Sequence, residues 1–219
     1  TMRALTNKKQ ILRGGNFLKT KQLYINGEWT DSTEHDIAEI LNPATEEVIA
    51  NVPIGTNDDI DKAVAAARSA FPAWNETPIA ERIQLMEEFE AAIEARKDEI
   101  ADTIVAELGA SRQFAKQGQV QLPLSEIKAS IEAVKNYDFE YTIENAQIIE
   151  EGYGVVACIT PWNYPLLQIE RKVVPALLAG NTVVLKPASN TPLTAIIYAE
   201  IMDEVGFPKG VFNLVTGSG

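Results

Sequence analysis

The chain has 219 residues, of which 46% are hydrophobic, and sets 19 Lys and Arg against 31 Asp and Glu for a net charge of -12. That length can bury a real core, in one domain or two small ones. The acidic balance argues against a nucleic-acid or anionic-membrane partner, and no apolar run reaches the roughly 20 residues that span a bilayer.

The first 21 residues hold Arg3, Lys8, Lys9, Arg13, Lys19 and Lys21 and no acid. Serines are absent there and Gly14-Gly15 would interrupt an amphipathic helix, so residues 1–21 read as a mobile tail rather than a transit peptide. Leu23 to Ile25 and Glu28 to Thr30 flank Asn26-Gly27, a pair suited to a two-residue hairpin turn. Ile37 to Leu41 and Val48 to Val52 flank Asn42-Pro43-Ala44-Thr45 in the same way. Gly55-Thr56-Asn57-Asp58-Asp59 opens a helix with Ile60, Val64, Ala67 and Phe71 as its core stripe. Thr77-Pro78 opens a second, with Ile79, Ile83, Met86, Phe89 and Ile93; a third carries Ile100, Ile104 and Leu108 and stops at Gly109. Pro123 is expected to divide the next segment, after which Ile127, Ile131, Val134 and Tyr137 continue as a helix. Tyr141 to Glu151 turns extended.

Val155 onward is an apolar, β-branched run that reads as a buried strand and breaks at Pro161. A helix starts at Pro165 and closes at Gly180, and a second buried strand runs from Thr182 to Lys186. Strand, crossover helix and strand form a βαβ unit whose parallel strands bring their carboxyl-end loops to one edge of the sheet. Thr191-Pro192 leads into a further helix stopped by Gly206, and Val211 to Val215 is a third buried strand ending in Thr216-Gly217-Ser218-Gly219. The fold class is α/β, a partial doubly wound parallel sheet behind helical and β-rich amino-terminal segments.

Two readings of Asn163 stand at this point. It caps the helix begun by Pro165, or its side-chain amide, held by flanking prolines, donates to a developing oxyanion. Cys158 is the only cysteine, which excludes an intrachain disulfide and a cysteine-based zinc cluster and suits a cytoplasmic setting. Its place inside an apolar strand makes it a small hydrophobe rather than a thiolate. His35, the lone histidine, has no second ligand in its polar stretch, so no metal site is expected.

Ile159-Thr160-Pro161-Trp162-Asn163-Tyr164-Pro165 and Pro175-Ala176-Leu177-Leu178-Ala179-Gly180-Asn181-Thr182-Val183-Val184-Leu185-Lys186-Pro187 resemble the NAD(P)-dependent aldehyde dehydrogenase superfamily. So do Tyr24-Ile25-Asn26-Gly27-Glu28-Trp29, Asn42-Pro43-Ala44-Thr45 and Gly206-Phe207-Pro208-Lys209-Gly210-Val211-Phe212-Asn213. The resemblance covers roughly nine tenths of the chain and is to the amino-terminal part of such enzymes. It implies a Rossmann-like, incomplete cofactor-binding domain over 22–136 and 154–219, an oligomerisation arm over 137–153, a homo-oligomer, and no catalytic domain in this sequence.

By the same resemblance, Asn163 is the oxyanion donor and Lys172 lies near the catalytic centre, with solvation on a helix face as its alternative. Ile159, Thr160, Pro161, Trp162, Asn163, Lys186, Ala188, Ser189 and Gly219 would line the groove for NAD or NADP. Gln168 and Arg171 would face a small-molecule aldehyde, Arg171 meeting a carboxylate or else simply pairing with a nearby acid. Ser189 stands where NAD-selective relatives commonly have glutamate, which favours NADP; the plainer reading is a cap for the turn before Thr191-Pro192. The family's nucleophilic cysteine and basic glutamate fall beyond the point corresponding to Gly219. The expectation is an amino-terminal portion of an aldehyde dehydrogenase, inactive alone, or alternatively a non-catalytic cofactor-binding or assembly module that pairs with other chains.

Overall fold

The computed structural model describes residues 20–218, so most of the expected tail, residues 1–19, and the expected cofactor contact Gly219 lie outside the described residues. Two antiparallel hairpins come first. β1 (Leu23–Ile25) pairs β2 (Glu28–Thr30), and β3 (Ile37–Leu41) pairs β4 (Val48–Pro53). Asn26 at φ 55° and Gly27 at φ 72° make the tight turn that the Asn-Gly pair implied. Lys21, placed in the tail by its composition, is tied down: its backbone N–H donates to Asn51 at 2.9 Å and its ammonium reaches Glu200.

Three parallel strands carry the rest of the main sheet. β7 (Val155–Ile159), β8 (Thr182–Lys186) and β9 (Phe212–Leu214) are joined by crossover helices. The sheet order is β2-β1-β9-β8-β7. β9 is therefore not an edge of the sheet, because β1 lies antiparallel against it with Tyr24 opposite Leu214. Asn213 fastens that join, accepting from the Asn26 backbone N–H at 2.9 Å and donating to the Val183 and Gly210 carbonyls. A pairing between chain ends is announced by no local pattern.

Helices α1 (Asn57–Glu76), α2 (Ile79–Ala95) and α3 (Lys97–Leu108) follow the hairpins. Thr56 and Asp59 form a reciprocal capping box at the start of α1, and Gly109 ends α3 in the left-handed region at φ 78°. The expected stripe on α1 is corrected by about one position. Of that stripe Ala67 is buried as expected, together with Ala63, Trp74 and the capping Asp59, whereas Ile60 is 41% exposed and Val64 and Phe71 only partly covered. Small side chains let the helix approach the sheet closely, and in a helix seated this tightly alanine outcompetes isoleucine for the inner face.

Pro123 does not divide its segment. α4 (Arg112–Phe114) runs through a π-helical stretch, Ala115–Val120, into α5 (Gln121–Lys135), and Pro123 sits in the first turn of α5, just beyond that stretch. Next, β5 (Glu140–Ile143) and β6 (Ala146–Ile149) form a separate two-stranded hairpin with nearly every residue exposed. α6 (Pro165–Leu178) crosses from β7 to β8, and α7 (Leu193–Val205) from β8 to β9.

Strict alternation on the central strands sorts the core into two layers. Val183 and Leu185 face α6 and α7, in one cluster with Cys158, Leu177, Ile196, Phe212 and Leu214. Val184 faces the other way, with Leu23, Ile25, Ala63, Ala67 and Val215 under α1. Glu107, fully buried on α3, caps α7 by accepting from Leu193 N at 2.7 Å, Thr194 N at 3.0 Å and the Thr194 hydroxyl; burial pushes its carboxyl up, to about 7, against these donors. No helix among the described residues is long and apolar enough to cross a membrane.

Candidate functional site

The carboxyl ends of β7 and β8 lie level, since Ile159 is opposite Lys186, and β9 ends beside them. The ladder continues one step further through Thr160 N to Lys186 O at 3.1 Å. Beyond it Pro161, Trp162 and Asn163 stand out from the sheet edge, with Ile159 65% and Trp162 55% exposed. Large apolar groups in such positions mark a surface made to be covered.

Asn163 is not a helix cap. The residue at the cap position of α6 is Tyr164, with φ -139°, and no side chain caps the helix; Pro165 starts it with its ring already at helical φ. The side-chain amide of Asn163 is exposed and makes no hydrogen bond among the described residues, while its backbone carbonyl accepts from Gln119 Nε2 at 3.1 Å. Phe114 meets Tyr164 edge-on, ring centroids 6.0 Å apart. The turn is thus braced by the α4 to α5 helical run, with its amide pointing free.

On α6, Lys172 donates to Gln168 Oε1 at 3.5 Å, one helical turn away, and both are half-buried. Arg171 is spent elsewhere. Its guanidinium makes a two-point bond to Glu126 of α5, at 2.7 and 2.6 Å, and this pairing holds the Glu126 carboxyl below its usual range. The acid-pairing reading of Arg171 is the one the geometry gives.

At the end of β8, Lys186 Nζ donates to Gly217 O at 3.0 Å and to Pro187 O at 2.9 Å, and Ser189 Oγ donates to the same Gly217 carbonyl at 2.9 Å. Ser189 therefore reaches across to the loop after β9 rather than capping its own turn. Partial burial draws the Lys186 ammonium below its ordinary range. Ala188 lies half-buried between these two donors. Gly55 seals the far side of that loop: its N–H donates to Thr216 O at 2.7 Å, and a Cβ on it would meet the same carbonyl at 2.7 Å.

Cys158 belongs to the core. It is fully buried, and burial pushes its thiol up to about 11, only partly offset by the charge of Lys172. Gln119 and Glu107 are the residues that sequence reasoning does not reach. Each acts through a polar contact to a distant backbone group, and the only trace in sequence is a polar residue inside a helical stretch.

The aldehyde dehydrogenase family model matches residues 29–219. A putative aldehyde dehydrogenase of Staphylococcus aureus is 44% identical over 200 residues, which is 91% of this chain and 42% of that protein. The crystal structure of an aldehyde dehydrogenase from Bartonella henselae superposes with a TM-score of 0.89 at 40% identity, over 92% of this chain and 43% of that one. A mutant of aldehyde dehydrogenase C from Pseudomonas syringae, in complex with NAD+ and octanal, gives a TM-score of 0.89 at 42% identity, over 91% of this chain and 41% of that one. The chain thus spans about two fifths of the length of the relatives it matches. With motifs, strand order and matched length in agreement, the chain belongs to the aldehyde dehydrogenase family, as an amino-terminal portion of it.

Proposed function

We propose that this chain supplies the cofactor-binding part of an enzyme that oxidises an aldehyde to a carboxylic acid with NAD or NADP. One observation carries the reading: the Asn163 amide, exposed and unused as a cap, stands on the same carboxyl edge of the sheet as the Lys186 to Ser189 loop. In open α/β sheets that edge is where nucleotides bind.

Ile159, Thr160, Pro161, Trp162 and Asn163 would line the groove at the end of β7, where exposed apolar surface suits a flat ring. Lys186, Ala188 and Ser189 would hold the ribose at the end of β8, two of them with donors already converged on one carbonyl oxygen. The dinucleotide, when bound, supplies the hydride acceptor. Asn163 donates to the aldehyde oxygen as charge develops there, a contribution of about 3 to 4 kcal/mol for one preorganised donor. Lys172 adds positive potential from the next turn of α6, and Gln168 is the polar group of that helix left to meet substrate, since Arg171 is held by Glu126.

The nucleophile and the general base are assigned to the part of the family's length that this chain does not span. Cys158 is excluded because a buried thiol held up to about 11 is neither accessible nor ionised at neutral pH. The hairpin of β5 and β6, with Tyr141, Ile143 and Ile149 exposed, is proposed as an arm that pairs with a second copy. Production of NAD(P)H from aldehydes by the complete gene product, followed by absorbance, tests the reading. Asn163→Ala should lower kcat about 10²- to 10³-fold; an unchanged kcat overturns the oxyanion assignment.

A further inference from the structure

We propose that Gln119 is the positioning residue of the Asn163 turn, fixing the peptide from which the oxyanion donor projects. This role presupposes the assignment of Asn163 above. Gln119 is 1% exposed and lies in the π-helical stretch Ala115–Val120, with its Nε2 3.1 Å from the Asn163 carbonyl oxygen. A carbonyl oxygen only accepts, so the orientation of the Gln119 amide is settled by chemistry: nitrogen toward Asn163, oxygen away.

The oxygen that points away is buried without a partner. An isosteric hydrocarbon would remove that desolvation cost, so the amide at this position is of use only through its donor. A π-turn places an extra residue in the helical period and rotates the rest of the helix by roughly 100° around the axis. It changes which side chains of the α4 to α5 run face the turn. Gly118 supports the arrangement. A Cβ there would come within 2.5 Å of the Phe114 ring, which packs edge-on against Tyr164, the residue that follows Asn163.

The two contacts hold the residue whose amide must meet a short-lived charge. Displacing such a group by about 1 Å can cost on the order of 100-fold in rate without touching affinity. Gln119 touches no reacting atom; it acts through Asn163.

The test uses the complete gene product with Gln119→Leu, Gln119→Glu, Asn163→Ala and the double variant Gln119→Leu/Asn163→Ala. Gln119→Leu should lower kcat about tenfold or more, with KM for aldehyde and cofactor moved less than about twofold. Gln119→Glu should lose activity at a pH where the carboxylate is ionised and recover it on acidification, because only the protonated acid can donate to the carbonyl. The double variant should be no slower than Asn163→Ala alone. In ¹H–¹⁵N spectra of the folded chain, the Tyr164 backbone amide, which shares a peptide with the Asn163 carbonyl that Gln119 bonds, should shift in Gln119→Leu while amides in the body of α6 stay in place. Full kcat in Gln119→Leu, beside a crippled Asn163→Ala, would overturn the proposal and leave the function intact. Full kcat in Asn163→Ala would overturn both, and an unaltered Tyr164 backbone amide in Gln119→Leu would overturn the proposal even without turnover.

Discussion

Ser189 and Glu170 show what one residue decides. Ser189 presents a neutral hydroxyl beside the Lys186 ammonium, and both rest on Gly217 O. A carboxylate here would accept from both ribose hydroxyls of NAD and repel a 2′-phosphate. Ser189→Glu should therefore move the ratio of kcat/KM for NADP over NAD downward at least tenfold, about 1.4 kcal/mol; specificity constants for the two cofactors check it. Glu170 is fully buried on α6, neither carboxyl oxygen has a well-formed hydrogen bond, and Tyr198 and Glu126 are its polar neighbours. Burial holds its carboxyl well above the usual range. A raised native pKa means the stability is complete below the unfolded value near 4.5 and is lost as pH rises toward the native one. Glu170→Gln should stabilise at pH 8 by about 1 to 3 kcal/mol and do little at pH 4.5, read from urea midpoints. Of these residues, Ser189 was legible in its place after Lys186-Pro187, which the motif marks, although its bond to Gly217 O is not visible there. Glu170 was not, since a Glu between Ile169 and Arg171 looks like solvent-facing charge until packing turns it inward.

Elements are held by their ends. Asp59 accepts from Ser32, both groups of Thr33, and Thr56, joining the first turn of α1 to the segment before β3. Burial works to raise its carboxyl, but these donors outweigh it and hold it well below the usual range. With the native pKa depressed, its contribution is present above about 4 and is lost as pH falls. Asp59→Asn should cost about 1 to 2 kcal/mol at pH 7 and flatten the acid side of the stability profile, as followed by circular dichroism. Gly152 joins the far end of α1 to β7: its N–H donates to Asn75 Oδ1 at 2.9 Å, and a Cβ would meet Gly180 O at 3.0 Å. Gly152→Pro removes the donor and crowds the carbonyl, for an expected loss of roughly 1 to 3 kcal/mol in thermal or urea unfolding. The elements themselves were largely legible, because continuous apolar, β-branched runs at Val155 and Thr182 and glycines at 180 and 206 are local signals. The inward face of α1 was legible only at Ala67. Ala63 carries less hydrophobic signal than Ile60 and Val64, yet close approach to the sheet selects the smaller side chain.

The molecule as a whole ends its main sheet on β7, whose outer edge has no neighbouring strand among the described residues and carries exposed Ala157 and Ile159. In the doubly wound order 3-2-1-4, β9, β8 and β7 are the first half, and the next strand belongs beside β7. Unpaired ladder groups and apolar side chains on one edge favour association. Expressed as these 219 residues, the chain should show a weight-average mass that grows with concentration in light scattering, and Ile159→Lys should bring it toward the monomer without lowering the unfolding midpoint. A sharp monomer at all micromolar concentrations would contradict this. The sheet's parallel half could be read from sequence, but its antiparallel extension could not, because pairing across the full chain leaves no local pattern.

That antiparallel extension sets a clock on synthesis. Asn26 and Asn213, which lock β1 to β9, are 187 residues apart in the chain. At a translation rate of roughly 5 to 20 residues per second, the first hairpin waits about 10 to 40 s for its partner strand to be made. During that interval Leu23 and Ile25 have Ala63 and Ala67 of α1 but lack Val184 and Val215, and the nascent chain offers a half-covered apolar ribbon to whatever chaperone is near.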